Sequence, residues 1–596
     1  MADSDPRAEY QRRIDRWSGE IARGERASLQ ISRARLAFGL ATPVLAWQAF
    51  GGQSIAAVWP AVTALVFAGL VVAHAMVLTR IERARRAMAF YERGMARLSS
   101  TWADRGADGA RFLEGHPFAH DIDLFGPASL FQFLDTARME IGEETLAAWI
   151  GDGAGIEEVR ARQKAVAELA PAIDFREDLA VLAAEAHVAR TGPLAGWAAA
   201  EPAGFSVVHH VVLAVSASLS VALGALMFAG WVPPAAFLSW ILVQTGLVGV
   251  LRSRINAVAS RLDVATHDLS LMSSLLERIE REPFTSARLS AVRDGLMVQG
   301  QPPSRRIARL KRLVSWLDQA TLNVWFRPIG ALLLVRSQMA VALDRWHAAN
   351  RLAILVWLRA VGDVEALSAL ATYACEHPAD PFPDVVEDGA VLAATGLAHP
   401  LLDEQVAVRN DVSLGGRQPR ALIVSGSNMS GKSTLLRAIG VNVVLAVAGA
   451  PVRATSLTLS RLAIGATLRV DDSLQAGHSR FYTEILRIRS IVERARQPRP
   501  LIFLLDEILG GTNSFDRQIG AAAIVRALVD AGAIGLITTH DLALAELSST
   551  LGASVANVHF EDRIENGAMA FDYRMRPGVV ERSNAIALMR AIGLDV

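Results

Sequence analysis

The 596-residue chain holds a single cysteine, Cys375, so no disulfide closes within it and a cystine-stapled scaffold is excluded. Lysine is almost as scarce. Lys164, Lys311 and Lys432 are the only ones among 60 basic residues, which makes each worth inspecting. Net charge is absent as well: 60 Lys+Arg balance 60 Asp+Glu. That balance argues against a generally basic nucleic-acid coat, though not against a local basic groove. With 45 Gly, 23 Pro and 52% hydrophobic residues, the chain is neither collagen-like nor disordered. The length supplies about three to four domains' worth of chain.

The apolar surplus sits in two runs that lack any Asp, Glu, Lys or Arg, 44 residues from Leu36 to Thr79 and 50 from Pro202 to Leu251. A helix spans a bilayer core with about 20 apolar residues, so each run can hold two spans and a turn. Gly51-Gly52-Gln53-Ser54 and Gly230-Trp231-Val232-Pro233-Pro234 supply the turns. The pattern predicts four membrane helices, roughly 36–50, 57–79, 207–229 and 233–251, as two hairpins. The soluble alternative is a pair of buried helical hairpins. A secretory leader does not fit, because the first run starts after 35 mostly polar residues. Arginines flank the runs (Arg33, Arg35, Arg80, Arg83, Arg252, Arg254) and none occupies the short turns. The positive-inside rule then predicts a multi-pass protein of the inner or plasma membrane with its N-terminus, the 80–201 segment and everything after 251 in the cytoplasm. His74, His209 and His210 read as structural.

From about Ala398 the pattern changes to short β-rich runs alternating with amphipathic helices, the mark of a parallel α/β sheet. The apolar run Ala421–Val424 leads into Gly426-Ser427-Asn428-Met429-Ser430-Gly431-Lys432-Ser433, with a helix predicted from Thr434. This is the phosphate-loop pattern G-x-x-x-x-G-K-[ST] in its strand–loop–helix context. The glycines let successive N–H groups face phosphate oxygens, Lys432 meets the β- and γ-phosphates of ATP, and the Ser433 hydroxyl can ligate Mg²⁺. A compact ammonium suits that role better than a guanidinium. Leu501–Leu505 reads as a central strand ending in Asp506 and Glu507, 74 residues beyond Lys432. Asp506 can hold the Mg²⁺ through water, and Glu507 is placed to polarise the attacking water as general base. A third strand, Gly535–Thr539, ends at His540, a position suited to the γ-phosphate.

These residues resemble the ATPase domain of the MutS family of mismatch-repair proteins. The family's G-P-N-M-G-G-K-S-T is matched by Gly426 to Thr434, its D-E-I-G-R-G-T-S by Asp506 to Asn513, and its T-H-Y by Thr539-His540-Asp541. Its D-D-x-x-x-G-x-S-T-F stretch is similar to Asp471-Asp472 with Gly477, Ser479 and Phe481, followed by Glu484. Ala398-His399-Pro400 with Asn410-Asp411 resembles the domain entry, and Phe571-Asp572-Tyr573 its C-terminal strand. Asp121–Gly126, Ser129–Phe131 and Arg162–Val166 are similar to the start of the family's helical core. The resemblance implies a homodimer through the ATPase domains, Asn428 as nucleotide sensor, Ser479 reaching the partner's γ-phosphate in trans, and Tyr573 stacked on adenine. Departures are Arg480 for Thr, Gly510 for Arg, and Ala407 where an aromatic often covers adenine.

The expected architecture is therefore an α/β P-loop NTPase, the ABC-like MutS ATPase domain, C-terminal to an all-α core and lever interrupted by transmembrane hairpins. Its segments run 1–35 (cytoplasmic N-terminal helix), 36–79 (first membrane hairpin), 80–201 (helical core), 202–251 (second hairpin), 252–397 (helical lever) and 398–596 (ATPase). The family's mismatch-reading domains have no counterpart before the core, and no clamp-sized β-rich insert divides the lever. Five cations in 303–312 (Arg305, Arg306, Arg309, Lys311, Arg312) can contact DNA phosphates or form a solvated or membrane-surface face. Two other functions compete. An ABC-type transporter would carry L-S-G-G-Q and usually a Pro after Asp506-Glu507, where Ile508 stands here. An ATP-switched membrane scaffold without DNA binding also fits.

Overall fold

The computed structural model describes residues 5–52, 54–186, 192–322, 326–387, 389–427, 429–469, 480–510, 512–540, 545, 548, 551–565 and 568–580. The chain separates into two compact units, Met1–Asp135 with Ala147–Val181 and Ser368–Val596, and Thr136–Leu146 with Leu182–Leu367.

The first unit opens with a helix of 45 residues, Pro6–Phe50. Asp5 caps it by accepting from the Arg7 N–H, and Pro6 presets its first turn. It folds back against the helix Val58–Leu98, with Gly94 leaving room for the Tyr10 ring and Glu25 pairing with Arg85 at 2.8 Å. At the polar end of this hairpin Tyr10, Phe90, Tyr91 and Ile173 form a small core. Beside it the buried Arg97 guanidinium grips Glu376 with two bonds of 2.6 and 2.8 Å.

The described residues of the same unit include ten strands: β1 (Asp384–Val386), β2 (Val391–Leu397), β3 (Asn410–Gly415), β4 (Ala421–Ser425), β5 (Ser456–Ser460), β6 (Ala463–Thr467), β7 (Leu501–Asp506), β8 (Ile534–Thr539), β9 (Val555–Glu565) and β10 (Ala568–Pro577). β1-β5-β2-β3 form a small mixed sheet. The main sheet has the order β10-β9-β4-β8-β7-β6, parallel except for β10. β4 and β8 are buried at every position and β7 at all but its last, as strands covered on both faces must be. The helices Arg480–Ala495 and Ser514–Asp530 pack Ile488, Ile491, Val525 and Leu528 against Phe503, Leu505 and Ile537.

The second unit is helical. Val207–Phe228 and the start of Pro234–Arg281 lie together with their polar groups turned inward. Trp240 Nε1 donates to the buried Ser220 hydroxyl at 2.9 Å, and that hydroxyl donates to Gln244 Oε1 at 3.2 Å. Gln244 in turn donates to the Leu332 carbonyl at 3.1 Å, fastening the short helix Arg327–Leu332. Outward they show Val208, Leu242, Val250 and Phe228, the last 93% exposed.

Among the described residues three helical segments are long and apolar enough to cross a membrane, Val58–Leu98, Val207–Phe228 and Pro234–Val258, and only 6%, 22% and 11% of their most apolar stretches are buried. Most of these apolar stretches are therefore left uncovered by the described residues. The expected first span, 36–50, is not among the three. Its 15 uncharged residues continue without a break from the polar helix that starts at Pro6 and fold back against Val58–Leu98. The N-terminal helix expected at 1–35 and the first span are thus one element. A correction concerns 252–397. The long helix Val335–Glu376 ends well before 398, and β1 and β2 follow it. The alternation of exposed and buried positions in Val391–Leu397 is a strand period too short to stand out beside a 42-residue helix.

Candidate nucleotide site

The phosphate loop lies between β4 and the helix Lys432–Ala448, which begins two residues earlier than its sequence suggested. The loop needs left-handed backbone. Gly426 and Gly431 have φ of 152° and 101°, and Met429 joins them at 69°. A β-carbon at Gly431 would come within 3.1 Å of the Tyr573 ring, a tight contact added to the constraint that φ already imposes. Lys432 is 5% exposed and its Nζ donates to the Gly426 and Ser427 carbonyls at 2.8 Å each. Burial pushes its ammonium below the usual lysine range, opposed by the charges of Glu507 and Asp506. Glu507 Oε1 stands 3.7 Å from Nζ.

The two acidic residues are set by strand pairing. β7 lies beside β8 with Asp506 opposite Thr538. The buried Thr538 hydroxyl donates to Asp506 Oδ1 and accepts the Glu507 N–H at 3.0 Å. Glu507 itself is left-handed, φ 45°, a conformation that costs a non-glycine residue about 1–3 kcal/mol. The turn after it is held from two sides. Buried Glu484 accepts the Leu509 N–H at 2.6 Å, and Arg517 donates to the carbonyls of Leu509, Gly510 and Thr512. On the open side His540 Nδ1 lies 3.5 Å from Glu507 Oε2.

Ser427, Met429, Gly431, Lys432, Ser433, Thr434, Asp506, Glu507, His540 and Tyr573 line one cavity of about 950 Å³. Gly426 and Ser430 complete the loop behind it. Tyr573 arrives through an irregularity in the β9–β10 pairing between Phe571 and Met575, with φ 54°, and Asn410 fixes it by donating to its carbonyl at 3.0 Å. Leu402, Val406 and Ala407 form the apolar wall of the same cavity. His399 lines it too. Burial lowers its pKa to about 4, which keeps the ring neutral while Nδ1 accepts the Leu401 N–H at 3.3 Å. Asn428 and Ser479 lie outside the described residues. The sequence pattern singles out neither Thr538 nor Arg517; the only signal for Thr538 is its place one residue before the end of the expected strand Gly535–Thr539.

The cavity suits a nucleoside triphosphate with magnesium. The buried hydroxyl of Ser427, on the cavity wall, has no hydrogen-bond partner among the described residues, as expected of a group facing an acceptor-rich ligand. Ser433 and Asp506 offer hard oxygen donors of the kind magnesium takes alongside substrate phosphates. Of the five cations in 303–312, Arg306 is structural: it is buried and donates to Asn350 Oδ1 and the Val298 carbonyl. Arg305, Arg309, Lys311 and Arg312 remain exposed on the helix Pro303–Leu322.

Residues 422–595 match the family model of MutS domain V, a P-loop ATPase domain. Over 234 residues (38% of this chain, 21% of that protein) the chain is 33% identical to "DNA mismatch repair protein MSH3" of Phaeosphaeria nodorum. It is 32% identical over 268 residues (44% of this chain, 30% of that protein) to "DNA mismatch repair protein MutS" of Rhodopirellula baltica. It is also 32% identical over 265 residues to "DNA mismatch repair protein MutS 2" of Halobacterium salinarum (44% of this chain, 29% of that protein). The matching regions thus span less than a third of the length of these relatives.

Proposed function

We propose that the protein is a membrane-anchored, MutS-like ATPase that binds ATP with Mg²⁺ and hydrolyses it as a homodimer closed through its ATPase domains. The observation that carries the reading is the joint placement of Lys432, Asp506 and Glu507 on one cavity, with Glu507 held by the Thr538 hydroxyl. Lys432 and the loop N–H groups bind and orient the phosphates. Ser433 and Asp506 would hold magnesium, which supplies charge neutralisation between phosphates when bound. Glu507 accepts the proton of the attacking water, and His540 steadies the outer carboxylate oxygen of Glu507. Ser479 completes the γ-phosphate contacts from the partner subunit. Tyr573 and Val406 bracket the base.

The exposed apolar faces of Val58–Leu98, Val207–Phe228 and Pro234–Val258, together with Leu40, Val44 and Trp47 on the 36–50 segment that folds back against the first of them, support lipid as their solvent, with the N-terminus and the ATPase domain on the cytoplasmic side. The deciding experiment is Glu507→Gln in full-length protein. ATP binding should persist while steady-state hydrolysis falls by about 100-fold or more; unchanged turnover rejects the general base. Resistance of the protein to alkaline carbonate extraction tests the anchor separately.

A second reading, binding of mismatched or branched DNA, draws on the exposed Arg305, Arg309, Lys311 and Arg312 and on the names of the relatives. Salt titration with homoduplex, mismatched and branched DNA decides it, and no binding at low salt removes repair from the function.

A further inference from the structure

The second unit contains a cavity of about 650 Å³ that the ATPase does not use. It is of ligand size, within the range of about 300–1,000 Å³ common for small-molecule sites. One wall is a single face of the helix Pro234–Arg281, from Phe237 and Ile241 through Val248 to Arg252 and Asn256. The other is built by the short helix Arg327–Leu332 and the segment after it, including Leu334 and Arg336. The helix rise gives this wall a direction. Phe237 and Arg252 are about 22 Å apart along the axis, apolar at one end and basic at the other. That distance is close to one leaflet's share of the hydrocarbon core plus its headgroup layer.

The charge is one-sided. Arg252, Arg327 and Arg336 all line the cavity, and no Asp or Glu among the described residues does. Arg336 is steadied by a 3.0 Å bond to Asn256 Oδ1, which places it at the basic end. The polar groups at the apolar end are already satisfied: Gln244 donates to the Leu332 carbonyl, and Thr245 to that of Ile241 at 2.8 Å. All three arginines are exposed on the cavity lining, and guanidinium forks match phosphate oxygens in pairs. The cavity therefore has the polarity of an amphiphile with a phosphate head.

We propose that this cavity binds an anionic glycerophospholipid from the cytoplasmic leaflet. Arg252, Arg327 and Arg336 take the headgroup phosphate, and Phe237, Ile241 and Val248 receive an acyl chain. The site rests on the membrane placement proposed above, and its test is separable from that placement. Carbonate extraction reports the anchor, whereas lipid binding is read in detergent micelles whether or not the protein inserts.

The experiment is titration of full-length protein in neutral micelles with fluorescently labelled phosphatidylglycerol and, in parallel, labelled phosphatidylcholine. Phosphatidylglycerol should bind at least about tenfold more tightly, and the R252Q/R327Q double variant should lose that preference. Inorganic phosphate in large excess should not displace the lipid; displacement would assign the arginines to free phosphate and overturn the proposal. Equal binding of the two lipids, or an unaffected double variant, overturns it as well. Should the double variant fail to fold, Gly249→Leu serves instead. Gly249 lines the cavity, and a β-carbon there meets nothing within 4 Å, so the larger side chain fills the space without displacing backbone. Lipid binding should then be lost with every arginine intact, and retained binding refutes the site.

Discussion

Thr538→Val is the sharpest probe of how the site holds its base. Valine keeps the branched shape of a residue that is 1% exposed and removes only the hydroxyl. That hydroxyl makes two bonds, donating to Asp506 Oδ1 and accepting from the Glu507 N–H. The bond to a charged acceptor is worth about 1.5–3 kcal/mol, and a buried N–H left unpaired costs about 1–3 kcal/mol. Water recovers part of this, so ~2–4 kcal/mol is a fair total. Glu507 is where the loss falls, because its left-handed φ of 45° persists only while its neighbours impose it. Released from Thr538, the residue relaxes and its carboxylate leaves the attacking water. If the whole loss appears in the transition state, kcat drops by about 30- to 1,000-fold. The assay is steady-state hydrolysis beside nucleotide affinity, with Thr538→Ser as the conservative control expected to restore most of the rate. A kcat within about twofold of wild type in folded Thr538→Val protein refutes the argument. So does a parallel loss of affinity and kcat, since that assigns the hydroxyl to binding.

Two further outcomes follow from buried charge. Arg97→Met leaves Glu376 buried beside Tyr10 without its counter-ion, and should destabilise the protein by about 3–5 kcal/mol in thermal or urea melts. Arg97→Met/Glu376→Met should recover much of that loss; equal destabilisation in the double variant excludes the pair as the cause. His399 is held neutral, its pKa lowered to about 4 from 6.5. A depressed histidine contributes stability above its unfolded value, so the contribution is present above pH 6.5 and declines as pH falls toward 4. Protonation of Nδ1 also breaks its bond from the Leu401 N–H. His399→Asn should flatten the melting temperature against pH across that window, and an unchanged slope removes His399 from the acid response.

The contiguous part of the site was legible because its chemistry demands particular residues at fixed spacing. A loop that must turn on Gly426 and Gly431 and end in Lys432 has few substitutes. What stayed hidden depends on strand order. Thr538 meets Asp506 only because β8 lies between β4 and β7, and one-dimensional spacing does not report that. Glu484 and Arg517 act on backbone groups of the turn after Glu507, contacts that any polar residue in the right place can make. The apolar runs were visible as composition. Their boundaries were less visible: 36–50 is the end of the 45-residue helix Pro6–Phe50, and only the turn after Phe50 marks where the chain folds back.

Asp121 shows how a residue far from the cavity can bear on it. It is completely buried, and its Oδ1 accepts the Leu468 and Arg469 N–H groups at 2.8 and 2.9 Å, where β6 ends and the chain continues toward Ser479. Arg437, on the helix that follows the phosphate loop, donates to the Asp121 carbonyl at 3.2 Å. Burial raises the Asp121 carboxyl pKa, opposed by the same two amides. The negative charge is therefore not what the fold wants there; the acceptor is. Asp121→Asn keeps one acceptor oxygen and sheds the desolvated charge, so stability should hold or rise and hydrolysis should stay near wild type. Asp121→Ala leaves two backbone donors unpaired at about 1–3 kcal/mol each and frees the start of the segment that carries Ser479. Its melting temperature and kcat should both fall. If the Asn variant fails as badly as Ala, the charge is the working part of Asp121, held by Arg487 at 3.5 Å, and the amide-acceptor argument is wrong.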